Sequence, residues 1–222
     1  YTGDIHGDIR RILKWLEQIR QQNVSNAVLI LLGDAGLNYY LDERDMKQKE
    51  RLQRKINELK EEKIFVQMLF VRGNHEARPS KLDTYKEKLV YDGLAYVEEK
   101  YPDLIFLKDG ECYTIEGKRF LVIGGGYSKD FFERVLRGYG YWYDEQLSDE
   151  EFQKIAEKTA KMTEDTYVLS HMLPIKWSPD ENDYETDKQA KRTEVWLQKI
   201  ADIFGEHLLR WYAGHYHMTC AG

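Results

Sequence analysis

Apolar residues recur along the chain in two spacings, one typical of amphipathic helices and the other of buried strands. Between residues 8 and 22 the apolar side chains return every three or four positions, which predicts a helix; they are Ile9, Ile12, Leu13, Leu16 and Ile19. The continuous apolar run 27–32 predicts a strand that is covered on both faces, and the mostly apolar run 64–71 predicts another buried strand. The remaining pattern predicts helices over 42–63, 148–162 and 193–204 and strands over 104–107, 112–115, 119–123, 166–169 and 210–213.

The order of these elements predicts the fold class. Strands alternate with helices early in the chain and with hairpins later, which indicates an α/β protein with mixed sheets and helices on the outside. No internal repeat, linker or low-complexity tract interrupts the 222 residues, so we expect a single domain over residues 1–222. The longest apolar run is far shorter than the roughly 18 residues of a membrane span, and no membrane association is expected.

Composition narrows the class of protein. A share of 42% hydrophobic and 13% aromatic residues is too high for a disordered chain. Two cysteines, Cys112 and Cys220, are too few for a disulfide scaffold, and a reducing, cytoplasmic location is expected. The net charge of −6 argues against a broad basic surface for nucleic acid, but an enzyme acting on phosphates remains open because metal ions can supply positive charge locally.

Five short segments contain histidine, aspartate or asparagine, four of them together with glycine, and most of them directly follow a predicted strand. They are residues 3–8, 33–36, 72–76, 170–171 and 214–217. Five of the six histidines lie in these segments, and only His207 lies outside them. Because α/β sheets place their sites at the carboxyl ends of strands, we expect these side chains to line one crevice.

The donor types in these segments point to metal ions. Imidazole and carboxylate groups together suit first-row divalent metals such as Mn, Fe, Ni or Zn. In an extended segment, residues two apart share a face, so Asp4 and His6 form one donor pair and His215 and His217 another. Seven or more candidate donors exceed what one ion needs, and the sequence therefore predicts two divalent ions.

The five segments resemble the calcineurin-like metallophosphoesterase superfamily. Its ordered signature is D-x-H, G-D, G-N-H-[DE], H and G-H-x-H, and all five blocks occur here in order between Asp4 and His217. The resemblance implies two mixed β-sheets in a sandwich flanked by helices. It also implies a two-metal hydrolase of phosphomonoesters or phosphodiesters, with manganese as the first candidate ion.

The resemblance assigns roles to individual residues of this chain. One ion would be held by Asp4, His6 and His217, and the other by Asn74, His171 and His215. Asp34 would bridge the two ions, which activate a hydroxide for in-line attack on phosphorus. His75 matches the histidine that faces the substrate and protonates the leaving oxygen.

One block departs from the phosphoprotein phosphatase branch, which the first and third blocks resemble. That branch continues G-D-x-x-D-R-G, whereas Leu37 and Asn38 stand here at the Asp and Arg positions. In that branch the Asp orients the acid histidine, so the residue that orients His75 in this chain is unidentified. We expect the phosphate to be bound instead by residues of the aromatic segment 127–142 and by Asn38; the substrate-binding candidates are Tyr127, Arg134, Arg137 and Asn38. A loop that packs its own rings is an equal alternative for that segment.

Three other functions stay open at this point. The chain could be a serine/threonine-type phosphoprotein phosphatase or a nuclease of the same superfamily, and a non-catalytic protein-binding scaffold ranks below both. The expected partner is a phosphorylated small molecule, nucleotide or phosphoprotein, and extended nucleic acid is not expected. The natural substrate and the oligomeric state do not follow from the sequence.

Overall fold

The computed structural model of the chain describes residues 1–138, 140–179 and 188–217, so Cys220 lies outside the described residues. The α-helices in this part are α1 (Arg10–Gln21), α2 (Glu43–Glu61), α3 (Phe131–Arg137), α4 (Asp149–Thr159) and α5 (Lys188–Phe204). The strands are β1 (Asn26–Leu32), β2 (Phe65–Val71), β3 (Tyr85–Val90), β4 (Gly93–Glu98), β5 (Leu104–Leu107), β6 (Cys112–Ile115), β7 (Lys118–Ile123), β8 (Thr166–Ser170) and β9 (Leu208–Tyr212). None of these helices is long and apolar enough to cross a membrane.

The strands form two mixed sheets. The first has the order β1-β2-β5-β4-β3, in which β1, β2 and β5 are parallel and β4 and β3 are antiparallel to their neighbours. The second has the order β6-β7-β8-β9, in which β7, β8 and β9 are parallel. In each sheet, parallel strands therefore end side by side at one edge.

Alternating side chains divide the core into three apolar layers. Leu29 and Leu31 of β1 pack in the layer that contains α1 and α2, whereas Ile30 and Leu32 pack between the two sheets. The second sheet behaves in the same way: its outer face packs against α4 and α5. Each inner strand is thus covered on both faces, which explains its largely apolar sequence. The predicted fold class, two mixed sheets flanked by helices, is confirmed.

Most predicted elements are present with ends shifted by one to three residues. The spacing of Ser148 and Glu151 forms a complete capping box at the start of α4. The hairpin of β3 and β4 was not predicted, because β3 lies at a sheet edge and most of its side chains are exposed. Helix α5 begins at Lys188 rather than near residue 193.

Candidate metal centre

The polar segments that follow the strands of the two sheets lie next to one another. Leu32 of β1 and Val71 of β2 are register partners, so Asp34 and Asn74 follow neighbouring strand ends. In the second sheet, His171 directly follows β8, and its Nδ1 lies 2.8 Å from the carbonyl oxygen of Leu32. That hydrogen bond joins the carboxyl ends of the two sheets across their interface.

The backbone of this region is strained in a consistent way. Several donor residues have φ angles in the left-handed region, namely Asp4 (54°), His6 (43°), Asp34 (50°), His215 (69°) and His217 (51°). Such a conformation costs on the order of 1–3 kcal/mol for a non-glycine residue and persists where surrounding contacts impose it. Here it occurs at five residues whose side chains come close together.

The first donor group consists of Asp4, His6 and His217. Each offers one ligand atom, and these atoms lie within 4.8 Å of one another. The Nε2 atoms of His6 and His217 are 3.4 Å apart, and Nε2 of His217 lies 3.9 Å from Oδ1 of Asp4. The backbone N–H of His215 donates to both carboxylate oxygens of Asp4 at 3.0 and 2.8 Å, which holds that carboxylate in place.

The second donor group surrounds His171, which is completely buried. Its Nε2 atom lies 2.7 Å from Oδ1 of Asn74, 3.2 Å from Nδ1 of His215 and 3.3 Å from Oδ2 of Asp34. Asp4 belongs to this group as well, since its ligand atom lies within 4.8 Å of those of Asp34 and His171. The structure therefore brings together all seven predicted metal ligands and places Asp4 in both groups.

The nitrogen and oxygen donors of these two groups suit divalent cations. With Nδ1 of His171 hydrogen-bonded to a carbonyl, its Nε2 presents a lone pair to the oxygens of Asn74 and Asp34. Acceptors at these distances repel one another unless a positive charge lies among them. Burial alone would lower the pKa of His171, but the Asp34 carboxylate raises it to about 9, so a proton takes this position when no cation does.

The same charges act on the neighbouring ligands. Burial alone would raise the pKa of Asp34, but the imidazoles of His171 and His75 hold it well below its usual range. Burial and the nearby His171 lower the pKa of His215 to about 3. Near neutral pH the site therefore offers ionised Asp34 and unprotonated His215, which are the forms that bind metal ions.

His75 lies at the rim of these groups. Its backbone N–H donates to Oδ1 of Asp34 at 3.0 Å, and its Nε2 lies 4.0 Å from Oδ2 of the same carboxylate. Its ring is 5.6 Å from that of His6, and its side chain is 17% exposed. Burial lowers its pKa to about 4, with Asp34 opposing and Arg134 reinforcing that shift. His75 thus lies next to both groups with part of its side chain exposed, and its role as the acid stays a prediction.

Glu76 has a structural role that was not predicted from the sequence. Its buried carboxylate accepts hydrogen bonds from the backbone N–H groups of Gly36 (2.9 Å), Leu37 (3.3 Å) and Gly73 (3.3 Å). It therefore ties the segment after β1 to the segment after β2. Its place at the fourth position of the G-N-H-[DE] block was the signal for this role.

The predicted substrate residues have different surroundings. Arg134 is 8% exposed and donates to the Tyr39 hydroxyl at 2.8 Å, and its charge reaches His75. Arg137 is exposed and pairs with Glu133 at 2.6 Å. Tyr127 is half-buried. In the aromatic segment the rings of Phe131 and Tyr141 are 4.5 Å apart, so part of the segment packs on itself. Substrate contact by Arg134, Arg137 and Tyr127 stays a prediction.

The prediction for Asn38 is wrong. This side chain has no exposed surface, and its Oδ1 accepts hydrogen bonds from Nζ of Lys49 (2.8 Å) and the hydroxyl of Tyr85 (3.0 Å). Lys49 also pairs with Glu98 at 2.5 Å. Asn38 therefore belongs to a buried polar network and has no surface with which to contact a substrate.

Comparison with known proteins agrees with this geometry. The sequence profile described as calcineurin-like phosphoesterase matches residues 1–218, which is nearly the whole chain. The chain therefore belongs to the calcineurin-like phosphoesterase family, whose members are metal-dependent hydrolases of phosphoesters. Among proteins with curated descriptions, none matches this sequence.

Proposed function

We propose that the protein is a two-metal hydrolase that cleaves a phosphomonoester or phosphodiester. The observation that carries this proposal is the convergence of seven donor residues, drawn from both sheets, on two adjoining groups with their lone pairs facing one another. One ion is assigned to Asp4, His6 and His217 and the other to Asn74, His171 and His215, with Asp34 shared. The substrate is a phosphorylated small molecule, nucleotide or phosphoprotein.

The residues of the chain divide the work. Bound divalent ions would supply an activated water and neutralise charge on the phosphoryl oxygens. The carboxylates of Asp4 and Asp34 supply the negative charge that holds such ions, while Asn74 adds an oxygen ligand without further charge. His75 donates a proton to the leaving oxygen. Because a neighbouring phosphate stabilises the imidazolium form, substrate binding would raise the pKa of His75, and the imidazole would take up from water the proton that it donates.

The first experiment measures turnover of two chromogenic substrates, one monoester and one diester, by the purified protein with Mn²⁺ and with the other candidate ions. We expect activity on at least one of them, and the ratio identifies the substrate class. Asp34→Asn should abolish turnover while the chain stays folded. Inactivity on both substrates with every ion, in a protein that binds no pair of ions, would favour the non-catalytic scaffold instead.

A second experiment isolates the part of His75. His75→Ala should reduce turnover of an alkyl phosphate by about 100-fold or more, because general acid catalysis contributes on that order. The matching nitrophenyl ester has a leaving group that needs no proton, so its turnover should fall much less. Equal losses on both esters would contradict the role of His75 as the acid.

A further inference from the structure

Two segments outside the five blocks, residues 125–130 and 142–146, reach the metal centre through one chain of hydrogen bonds. Nδ2 of Asn74 donates to Oγ of Ser128 at 2.9 Å, and Oγ of Ser128 donates to Oε2 of Glu145 at 2.5 Å. The backbone N–H of Ser128 donates to the other carboxylate oxygen of Glu145 at 2.8 Å. All three residues are at most 2% exposed.

The direction of these bonds is set by Glu145. An ionised carboxylate only accepts hydrogen bonds, so the single hydroxyl proton of Ser128 points to Glu145. Oγ of Ser128 is then an acceptor toward Asn74 and selects the NH₂ side of its amide. The amide oxygen consequently faces the other way, where it lies 2.7 Å from Nε2 of His171.

This selection matters because the two ends of an amide have nearly the same size but opposite hydrogen-bonding character. The flipped amide would direct N–H donors at the position assigned to the second ion. We propose that Ser128 and Glu145 are positioning residues that hold Asn74 in the orientation that presents its oxygen to that ion. The inference rests on the proposed two-ion centre.

The main chain of Glu145 is itself held firmly. The guanidinium of Arg72, which is 2% exposed, donates to the Glu145 carbonyl at 2.7 Å, and the N–H of Gly126 donates to it at 3.2 Å. Gly125 has a φ of +81°, and its N–H donates to the Arg72 carbonyl at 2.7 Å. These contacts tie Arg72 and the two glycines to the main chain of Glu145, and they leave its carboxylate little freedom to move.

The test is a double-mutant cycle read out by titrating Mn²⁺ into the metal-free protein in a calorimeter at pH 7.5. Burial raises the pKa of Glu145 to about 7, so this pH favours its ionised form. Glu145→Gln keeps the shape of the side chain but places an N–H donor against either the N–H or the hydroxyl of Ser128. We expect the second Mn²⁺ to bind about 10–100-fold more weakly in this variant, the usual effect of losing a residue that orients a metal ligand.

Ser128→Ala removes the nearer polar partner of Asn74 Nδ2, whose other close neighbour is Nε2 of His75 at 3.3 Å, and should weaken binding of the second Mn²⁺ by about tenfold. In the double variant Ser128→Ala with Glu145→Gln, the amide N–H introduced at position 145 no longer faces a hydroxyl group. Its second Mn²⁺ should therefore bind no more weakly than in Ser128→Ala alone.

Asp103→Asn is the matched control, because it also neutralises a buried carboxylate, bound to Gln53 and Lys60 at the opposite end of β5. It should leave both Mn²⁺ affinities unchanged.

The outcomes separate the inference from the proposed function. Wild-type affinity for both ions in folded Glu145→Gln would overturn the positioning role while leaving the two-ion centre intact. A double variant whose loss equals the two single losses multiplied together would also overturn it, because the two residues would then act independently. A wild-type protein that binds no pair of ions would overturn the proposed function and this inference together.

Discussion

Gly73 offers a direct test of how closely the donor segments must approach. It precedes Asn74, and a Cβ atom built on it would lie 2.6 Å from Cγ of Asp34 and closer still to its Oδ1 and backbone N. Carbon atoms in contact are separated by about 3.5 Å or more. Gly73→Ala therefore has to displace the Asp34 carboxylate by about 1 Å.

The expected effects follow from that displacement. Overpacking of a buried position costs about 1–3 kcal/mol of unfolding free energy, and a chain of this size loses roughly 2–4 °C of melting temperature per kcal/mol. A misplacement of about 1 Å at a catalytic group lowers turnover on the order of 100-fold. We therefore expect Gly73→Ala to melt several degrees lower and to lose most of its Mn²⁺ affinity and activity.

The matched control is Gly3→Ala, since Gly3 also precedes a predicted ligand, Asp4. A Cβ atom at Gly3 would meet only ordinary contacts, the nearest being the Leu32 carbonyl oxygen at 3.4 Å. Calorimetric Mn²⁺ titration, thermal melting and turnover of a chromogenic phosphoester should leave this control near wild type. Wild-type Mn²⁺ binding and turnover in Gly73→Ala, or equal losses in both variants, would refute the reasoning.

Three further predictions concern stability. Arg78→Ala removes hydrogen bonds to the Gln146 carbonyl (2.8 Å) and to Glu151 (2.6 Å). Denaturant titration should show that the unfolding free energy falls by about 2–3 kcal/mol in this variant and by less in Arg78→Lys. Burial alone would raise the pKa of Glu151, but Arg78 and the Ser148 N–H hold that pKa below its usual value. The contribution of ionised Glu151 to the unfolding free energy is therefore complete above about pH 4.5 and is lost as the pH falls through the lowered pKa. The stability gap between wild type and Arg78→Ala should therefore narrow below pH 4.5, and a constant gap would contradict this pairing. Glu76→Ala leaves three backbone N–H groups without their acceptor and should cost about 3 kcal/mol or more by the same measurement, whereas unchanged stability would show that these bonds contribute nothing.

Much of the architecture was readable from local sequence. The runs before Asp34 and Asn74 are mostly apolar because both faces of β1 and β2 are covered, and this property needs no knowledge of the partners. The donor residues could also be predicted, since each belongs to a distinctive block, and Asp34, Asn74, His171 and His215 each follow a strand within three positions. The hairpin of β3 and β4 could not, because its pairing with β5 rather than its own polarity makes it a strand.

The surroundings of the donors were decided by the tertiary structure alone. Asn38 has the sequence position of a substrate residue, yet contacts with Lys49 and Tyr85 bury it. Asn74 meets Ser128 across 54 residues of chain, and no local periodicity encodes a hydrogen bond of that span. The residue types and their order along the chain thus determined which groups could bind ions. The packing of one sheet on the other decided which side chains hold those groups in place, because hydrogen-bond direction depends on positions that only the folded chain brings together.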